Sequence, residues 1–109
     1  MLLILRQKAT PQKIHQISED LDGYIKIVVD IDKKILAAGG MRHIEGEQKL
    51  LEDGSHQKNL WGGGLDLESK EIDYNSIINL RPSQGNPSRE VLSKDIRKEF
   101  DTIVKKILY

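Results

Sequence analysis

The feature that most constrains the fold is an alternating apolar segment at residues 24–31. Every second side chain of that segment is aliphatic, namely Ile25, Ile27, Val29 and Ile31. A repeat of two residues is typical of a β-strand with one buried face. Asp32 and Lys33 follow as a turn, and residues 34–38 form a returning strand before Gly39. The segment therefore predicts a β-hairpin.

The remaining apolar patterns flank this hairpin. They predict a strand at residues 2–5, a helix from Thr10 to Gly23, a short helix at 45–52, strands at 59–67 and 72–80, and a last helix from Ser93. The order β-α-β-β-α-β-β-α predicts an α+β fold, in which helices pack on one face of an antiparallel sheet of about four to five strands. A chain of 109 residues fits a single domain at 1–109.

Charge and cysteine content exclude several classes of function. The 17 Lys and Arg balance the 17 Asp and Glu, which argues against a generic nucleic-acid binder. The absence of cysteine excludes a disulfide framework, a thiolate zinc site and a cysteine nucleophile, and it fits a reducing cytosol. The apolar opening at residues 1–5 is too short for a signal peptide or a membrane span. We therefore expect a cytoplasmic protein with no membrane partner.

The loop at residues 79–89 is the segment richest in hydrogen-bond donors. Its candidate ligand-binding residues are Arg81, Ser83, Gln84, Asn86, Ser88 and Arg89. Arginine donates in a rigid fork that suits phosphate and carboxylate oxygens, and two prolines stiffen the loop, which lowers the ordering cost of binding. The loop therefore indicates either a site for an anionic group or a rigid connection whose polar side chains hold turns together.

A second candidate is the pair His43 and Glu45, which an extended chain would place on the same side. Together with His56 beyond the short helix, the pair would supply acid–base or metal chemistry. The alternative is that these side chains cap a helix and form surface hydrogen bonds. Because no further residues with metal-ligand spacing appear, we predict neither a metal site nor a cofactor.

Trp61 stands directly before three glycines. A lone tryptophan at the start of a strand is usually a core residue whose N–H is bonded to the backbone. Glycine inside a strand marks a bulge, a bend or the close approach of another backbone. Trp61 is therefore either a core residue or a wall of a ligand site, where the glycines open space for a flat group.

Several stretches together resemble a known family. They are residues 26–31, residues 35–40 with His43, residues 53–55 with Gln57, residues 60–62, and residues 78–89, which contain the run Asn-Leu-Arg-Pro-Ser-Gln-Gly-Asn-Pro-Ser-Arg at 79–89. The pattern is similar to that of a family of small prokaryotic proteins of unknown function, and the 79–89 run is its most specific part. The resemblance covers nearly the whole chain after the first helix. It implies no activity, cofactor or catalytic residue.

Three functions from different classes are compatible with these patterns. The first, which we favour, is an intracellular module that binds a phosphate- or carboxylate-bearing small molecule, or an RNA phosphate, at the 79–89 loop. The second is an enzyme that uses His43 and Glu45 on an anionic substrate held by Arg81 and Arg89, which requires His43 and Arg81 to converge. The third is a homo-oligomeric interaction protein that pairs through its apolar first strand or an open sheet face.

Overall fold

The computed structural model describes residues 1–109 as a five-stranded antiparallel sheet with three α-helices. The strands are β1 (Leu2–Leu5), β2 (Tyr24–Asp30), β3 (Ile35–Gly39), β4 (Leu60–Asp66) and β5 (Ile72–Asp73). The helices are α1 (Pro11–Ser18), α2 (His43–Glu52) and α3 (Lys94–Leu108). This order confirms the predicted α+β class and the predicted sequence of elements.

The sheet has the strand order β1-β3-β2-β4-β5, so β2 and β3 form the predicted hairpin near its centre. Asp30 closes the hairpin turn, because its Oδ1 accepts from the backbone N–H groups of Asp32 at 2.9 Å and Lys33 at 3.0 Å. Its Oδ2 accepts from the Ser55 hydroxyl at 2.6 Å, which anchors the chain that follows α2. Strand β1 lies at one end of the sheet and pairs only with β3.

The first and last helices begin at the predicted caps. The Thr10 hydroxyl accepts from the Lys13 amide before α1, and the Ser93 hydroxyl accepts from the Ile96 amide before α3. The apolar stripe of α3 is buried at Phe100, Ile103, Val104, Ile107 and Leu108. None of the helices is long and apolar enough to cross a bilayer.

The two faces of the sheet are covered by different helices. Helices α1 and α3 pack on one face, against a core that includes Ile25, Ile27 and Val29 of β2. Helix α2 covers the opposite face, where its Leu50 joins a smaller core with Val28. We expected all helices to pack on one face of the sheet. This expectation holds for α1 and α3, whereas α2 packs on the other face. Residues of β2 that alternate away from the main core supply the second apolar face, and this face requires its own helix.

The region after β4 differs from the predicted strand at residues 72–80. Strand β5 ends at Asp73, and the chain enters a 3₁₀ turn at Ile77–Asn79. Its alternation of Ile72, Tyr74 and later apolar residues is real, but only the first two residues pair with β4. The expectation of a strand is therefore wrong beyond Asp73. From there on, side chains and not a strand form the hydrogen bonds to the edge of β4.

Candidate functional site

The outer edge of β4 is closed by side chains where β5 stops. Gly64 still pairs with Asp73 of β5. Two residues earlier, the Gly62 N–H donates to Asn79 Oδ1 at 2.8 Å, and Asn79 Nδ2 donates back to the Gly62 carbonyl at 2.9 Å. The carboxamide thus forms the donor–acceptor pair that a neighbouring strand would form.

The same amide also ties together the two ends of the segment that follows β5. Asn79 is fully buried, and its Nδ2 donates to the carbonyls of Tyr74 at 3.0 Å and Arg89 at 2.9 Å. The backbone N–H of Ser76 in turn donates to the Arg89 carbonyl at 3.0 Å. Asn79 therefore fixes the position of the backbone at Arg89 relative to β4.

Arg81 extends this closure of the β4 edge by one further residue pair. Its guanidinium donates to the carbonyl of Leu60 and, at 2.6 Å, to that of Gln57, and it lies 3.9 Å from the centroid of the Trp61 ring. The side chain is only 8% exposed and forms no ion pair. Burial lowers the pKa of this guanidinium, although the charge of Glu47 acts in the opposite direction. Arg81 is thus occupied by internal carbonyls and an aromatic ring.

Asn86 holds the rest of the 79–89 loop in the same way. Its Nδ2 donates to the carbonyls of Asn79 at 2.8 Å, Ser88 at 2.9 Å and Glu90 at 2.9 Å. Its Oδ1 accepts from the Leu92 amide at 3.0 Å. Because Asn86 is buried and both polar atoms of its amide have partners inside the protein, its two N–H donors are not available to a ligand.

The largest cleft lies between the start of α2, the first half of β2 and the segment that follows β5. It has a volume of about 710 Å³, which is within the range of small-molecule sites. Its lining residues are Tyr24, Lys26, Arg42, His43, Ile44, Asp73, Asn75, Ser76, Ile77 and Arg89. Among the predicted ligand-binding residues of the 79–89 loop, only Arg89 reaches this cleft.

Three cationic side chains of the cleft have no acidic partner. They are Lys26, Arg42 and Arg89, and none of them takes part in an ion pair. They come from three separate parts of the chain, namely β2, the residue before α2 and the end of the 79–89 loop. Because the whole chain has zero net charge, this local excess of positive charge is a property of the cleft.

The one carboxylate of the cleft is already engaged. Asp73 accepts from the Tyr24 hydroxyl at 2.6 Å with one oxygen and from the Asn75 backbone N–H at 3.1 Å with the other. Burial, together with the hydrogen bond to Asp73, raises the pKa of Tyr24. Tyr24 therefore stays neutral, and its hydroxyl donates to Asp73.

His43 lies at the base of the cleft as the first residue of α2. It is 9% exposed, and its Nε2–H donates to the Gly63 carbonyl at 2.6 Å, which fixes the neutral tautomer. The Nδ1 atom has no hydrogen bond and is not among the buried unpartnered nitrogens, so it is accessible from the cleft. Burial lowers the pKa of His43, and the charge of Lys26 lowers it further, while the Gly63 hydrogen bond and Asp73 oppose this shift.

The three glycines of β4 leave room for residues that pack directly against this strand. A Cβ atom on Gly64 would lie 1.9 Å from the Tyr24 hydroxyl, and one on Gly63 would lie 2.1 Å from the Asp73 carbonyl oxygen. A Cβ on Gly62 would lie 2.6 Å from that of Ser76. Of the bulge, the bend and the close backbone approach that the glycine run predicts, the close approach of a backbone occurs at Gly63, whereas Gly62 and Gly64 meet side chains.

The start of α2 has no side-chain cap. The residue before the helix is Arg42, whose guanidinium only donates and cannot accept from the first-turn amides. The carboxylate of Glu45 folds back and accepts from the backbone N–H groups of Met41 at 3.0 Å and Arg42 at 2.9 Å, outside the helix. The carboxylate of Glu45 thus offsets the positive end of the helix dipole, and His43 and Ile44 of the first turn line the cleft.

The structure thus separates the residues that sequence analysis grouped together. His43 and Arg89 share the cleft, whereas Arg81 is buried against Trp61 outside it. Glu45 is engaged in the backbone contacts before α2, so the predicted pairing with His43 in an extended segment does not occur. The remaining predicted residues lie outside the cleft, with Ser83, Gln84 and His56 exposed and Ser88 partly buried.

Two expectations about Trp61 have different outcomes. The ring is a core residue, 3% exposed, as one of the two interpretations predicted. Its Nε1 atom is buried without a hydrogen-bond partner, so the expected bond from the indole N–H to the backbone is absent. Arg81 covers the ring, which excludes Trp61 as a wall of an open ligand site.

Lys26 and Arg42 of the cleft were not predicted from the sequence. Lys26 is a charged residue on a strand whose alternate face is otherwise partly apolar, which is a signal that the face opens to solvent at that point. Arg42 directly precedes a helix without being a capping residue, which indicates an uncapped N-terminus. The charged residue on β2 and the arginine before α2 indicate a common site only when α2 is known to begin at His43, whereas the sequence predicted its start at residue 45.

The structure defines a small α+β domain with a cation-lined cleft on the α2 side of its sheet. The chain belongs to the family described as protein of unknown function (DUF5674), whose model matches residues 3–107. This match confirms the resemblance to a family of unknown function. No curated protein and no solved structure matches the chain.

Proposed function

We propose that this domain binds a small anionic ligand in the cleft at the start of α2. The observation that carries the proposal is the convergence of Lys26, Arg42 and Arg89, three cations without acidic partners, on one cleft of a charge-balanced protein. The site differs from the one expected at the 79–89 loop, because the side chains of Arg81, Gln84, Asn86 and Ser88 hydrogen-bond to the protein itself.

A phosphate group fits this arrangement better than a carboxylate. The three cations approach from different elements, and a phosphate offers acceptor oxygens in several directions, whereas a carboxylate offers two in one plane. The uncapped amides of the first turn of α2 add donors of the kind that bind phosphate at helix N-termini. The Nδ1 atom of His43, which has no hydrogen bond and is accessible from the cleft, marks the same place as a site for a polar group.

Thermal unfolding with a ligand panel tests the proposal. The panel contains inorganic phosphate, mononucleotides, small carboxylates and a short single-stranded RNA. A ligand at about 100 times its dissociation constant stabilises the fold by about 2.7 kcal/mol, which raises the melting temperature by about 10 °C. We expect this shift for phosphate-bearing ligands.

The variants separate the cleft from general charge effects. The double variant Arg42→Gln/Arg89→Gln removes two cations of the cleft and should abolish the shift. Lys98→Gln removes one cation from the exposed side of α3 and should leave it unchanged. The proposal fails if no member of the panel shifts the wild type, or if the double variant responds as the wild type does.

The position of β1 favours self-association as a second candidate function. As an edge strand, β1 has one row of backbone groups that no strand of this chain pairs, and its residues Leu2, Leu3 and Ile4 are partly buried aliphatics. Light scattering after size exclusion over a range of concentrations tests this candidate. A dimer that is lost on Leu3→Lys substitution supports it, and a monomer at all concentrations refutes it.

A further inference from the structure

The imidazole of His43 is arranged as a proton acceptor for a group bound in the cleft. Its Nε2–H is committed to the Gly63 carbonyl, which leaves the Nδ1 lone pair as the free side of the ring. The same carbonyl remains a good partner after Nδ1 takes up a proton, because it then faces a charged ring. This is the geometry of an oriented general base.

The charged groups that face His43 suit an anionic substrate. Lys26 on β2 and Asp73 on β5 both influence its titration, and Tyr24 binds Asp73. Arg42 and Arg89 line the same cleft without acidic partners. A phosphoryl group held by these cations would lie beside a base that is neutral at pH 7. The cations would also stabilise the negative charge that develops on the phosphoryl oxygens during the reaction.

The rim of the cleft adds an apolar surface on two sides. Ile44 on α2 and Ile77 on the 3₁₀ turn line the cleft and are 57% and 53% exposed. Large aliphatic side chains at the mouth of a cationic site fit a ligand that has an apolar body attached to its anionic group. The ligand class is therefore a phosphate ester of an apolar or aromatic alcohol.

We propose that the cleft hydrolyses such a phosphate ester with His43 as the general base, which rests on the proposed binding of phosphate. Nδ1 takes one proton from a water molecule, and the water oxygen forms a bond to phosphorus. The bond between phosphorus and the ester oxygen breaks, and its electron pair leaves with the alcohol oxygen, which takes a proton from solvent. His43 then releases its proton to solvent, so the products are phosphate and alcohol.

The test uses 4-nitrophenyl phosphate and bis(4-nitrophenyl) phosphate, whose leaving group needs no proton from the protein. His43→Gln keeps an amide N–H for the Gly63 carbonyl and removes the base. We expect turnover by the wild type, a loss in kcat/KM of about 100-fold or more in His43→Gln, and unchanged phosphate binding by calorimetry in that variant. Lys98→Gln, purified in the same way, should retain full activity.

The pH profile of the wild type provides a second measurement that does not depend on a variant folding. Because the base must be unprotonated, kcat/KM should fall as pH decreases below the usual range of histidine and should be flat above pH 7. Phosphate binding without turnover of either ester overturns the catalytic inference and leaves the binding proposal intact. Absence of phosphate binding overturns both, and full activity in His43→Gln overturns the role of His43.

Discussion

Truncation of Asn79 to alanine tests whether a side-chain amide really substitutes for a strand at the β4 edge. Asn79→Ala removes four hydrogen bonds, one accepted from the Gly62 amide and three donated to the carbonyls of Gly62, Tyr74 and Arg89. The side chain is fully buried, so water cannot replace these contacts without entering the core.

The expected cost follows from the bonds lost. Each buried hydrogen bond contributes a net of about 1 kcal/mol, and an unsatisfied buried donor adds to the loss. Four bonds therefore correspond to about 3–4 kcal/mol. This is a large part of the roughly 5–15 kcal/mol that stabilise a domain of this size.

Urea unfolding monitored by Trp61 fluorescence and by far-UV circular dichroism measures this loss. With a slope of about 1.5 kcal/mol/M, the midpoint of Asn79→Ala should lie about 2 M below that of the wild type. Asn75→Ala is the matched control, since Asn75 is exposed and its side chain makes one hydrogen bond, to Glu90 at 2.9 Å. Its stability should change by less than about 0.5 kcal/mol. A loss below about 1 kcal/mol for Asn79→Ala would refute the strand-substitution argument.

Three further predictions concern the residues around the same edge and cleft. Arg81→Met should lower stability in urea by about 2–4 kcal/mol, because buried carbonyls lose their donors, while phosphate affinity at a temperature where the variant is folded stays unchanged. Gly63→Ala should destabilise more than Gly64→Ala in the same assay, since the first meets backbone at 2.1 Å and the second meets the end of a side chain at 1.9 Å; equal losses would contradict this. The lowered pKa of His43 means that the unfolded chain binds the proton more readily. Stability should therefore fall as pH decreases through 6.5, the usual value, and His43→Gln should unfold with a weaker dependence on pH between 7 and 5.

The elements with a strong repeat and a clear cap could be predicted from the sequence. The alternation in β2 and the stripe of α3 report burial directly, and Thr10 and Ser93 mark helix starts through their own side-chain bonds. The length of strand β5 was overestimated because its sequence also alternates. An alternating pattern shows which side chains are buried, but here Ser76 and Ile78 are buried on either side of the exposed Ile77 although the backbone forms a 3₁₀ turn and not a strand.

The candidate site was harder to predict because the sequence does not show which acceptor each hydrogen-bond donor binds in the folded protein. Arg81 and Asn86 have the composition of a ligand site, yet their partners are carbonyls of the same chain, at Leu60 and Asn79 for example. Which donors stay free depends on how the loop folds over β4, and this is a property of tertiary structure. Arg89, three residues beyond Asn86, remained free because only its backbone is held.

The side chains that close the β4 edge also determine at how many edges the sheet can pair with a further strand. A strand can be added only where backbone groups are unpaired, and on the β4 side Asn79 and Arg81 already occupy them as far as Leu60. Strand β1 is the longer open end, opposite in the strand order. Because β5 has only two residues and β1 has four, we expect a second copy to pair at β1. Two copies joined through β1 would leave only the short β5 edges exposed, which disfavours growth into a fibre.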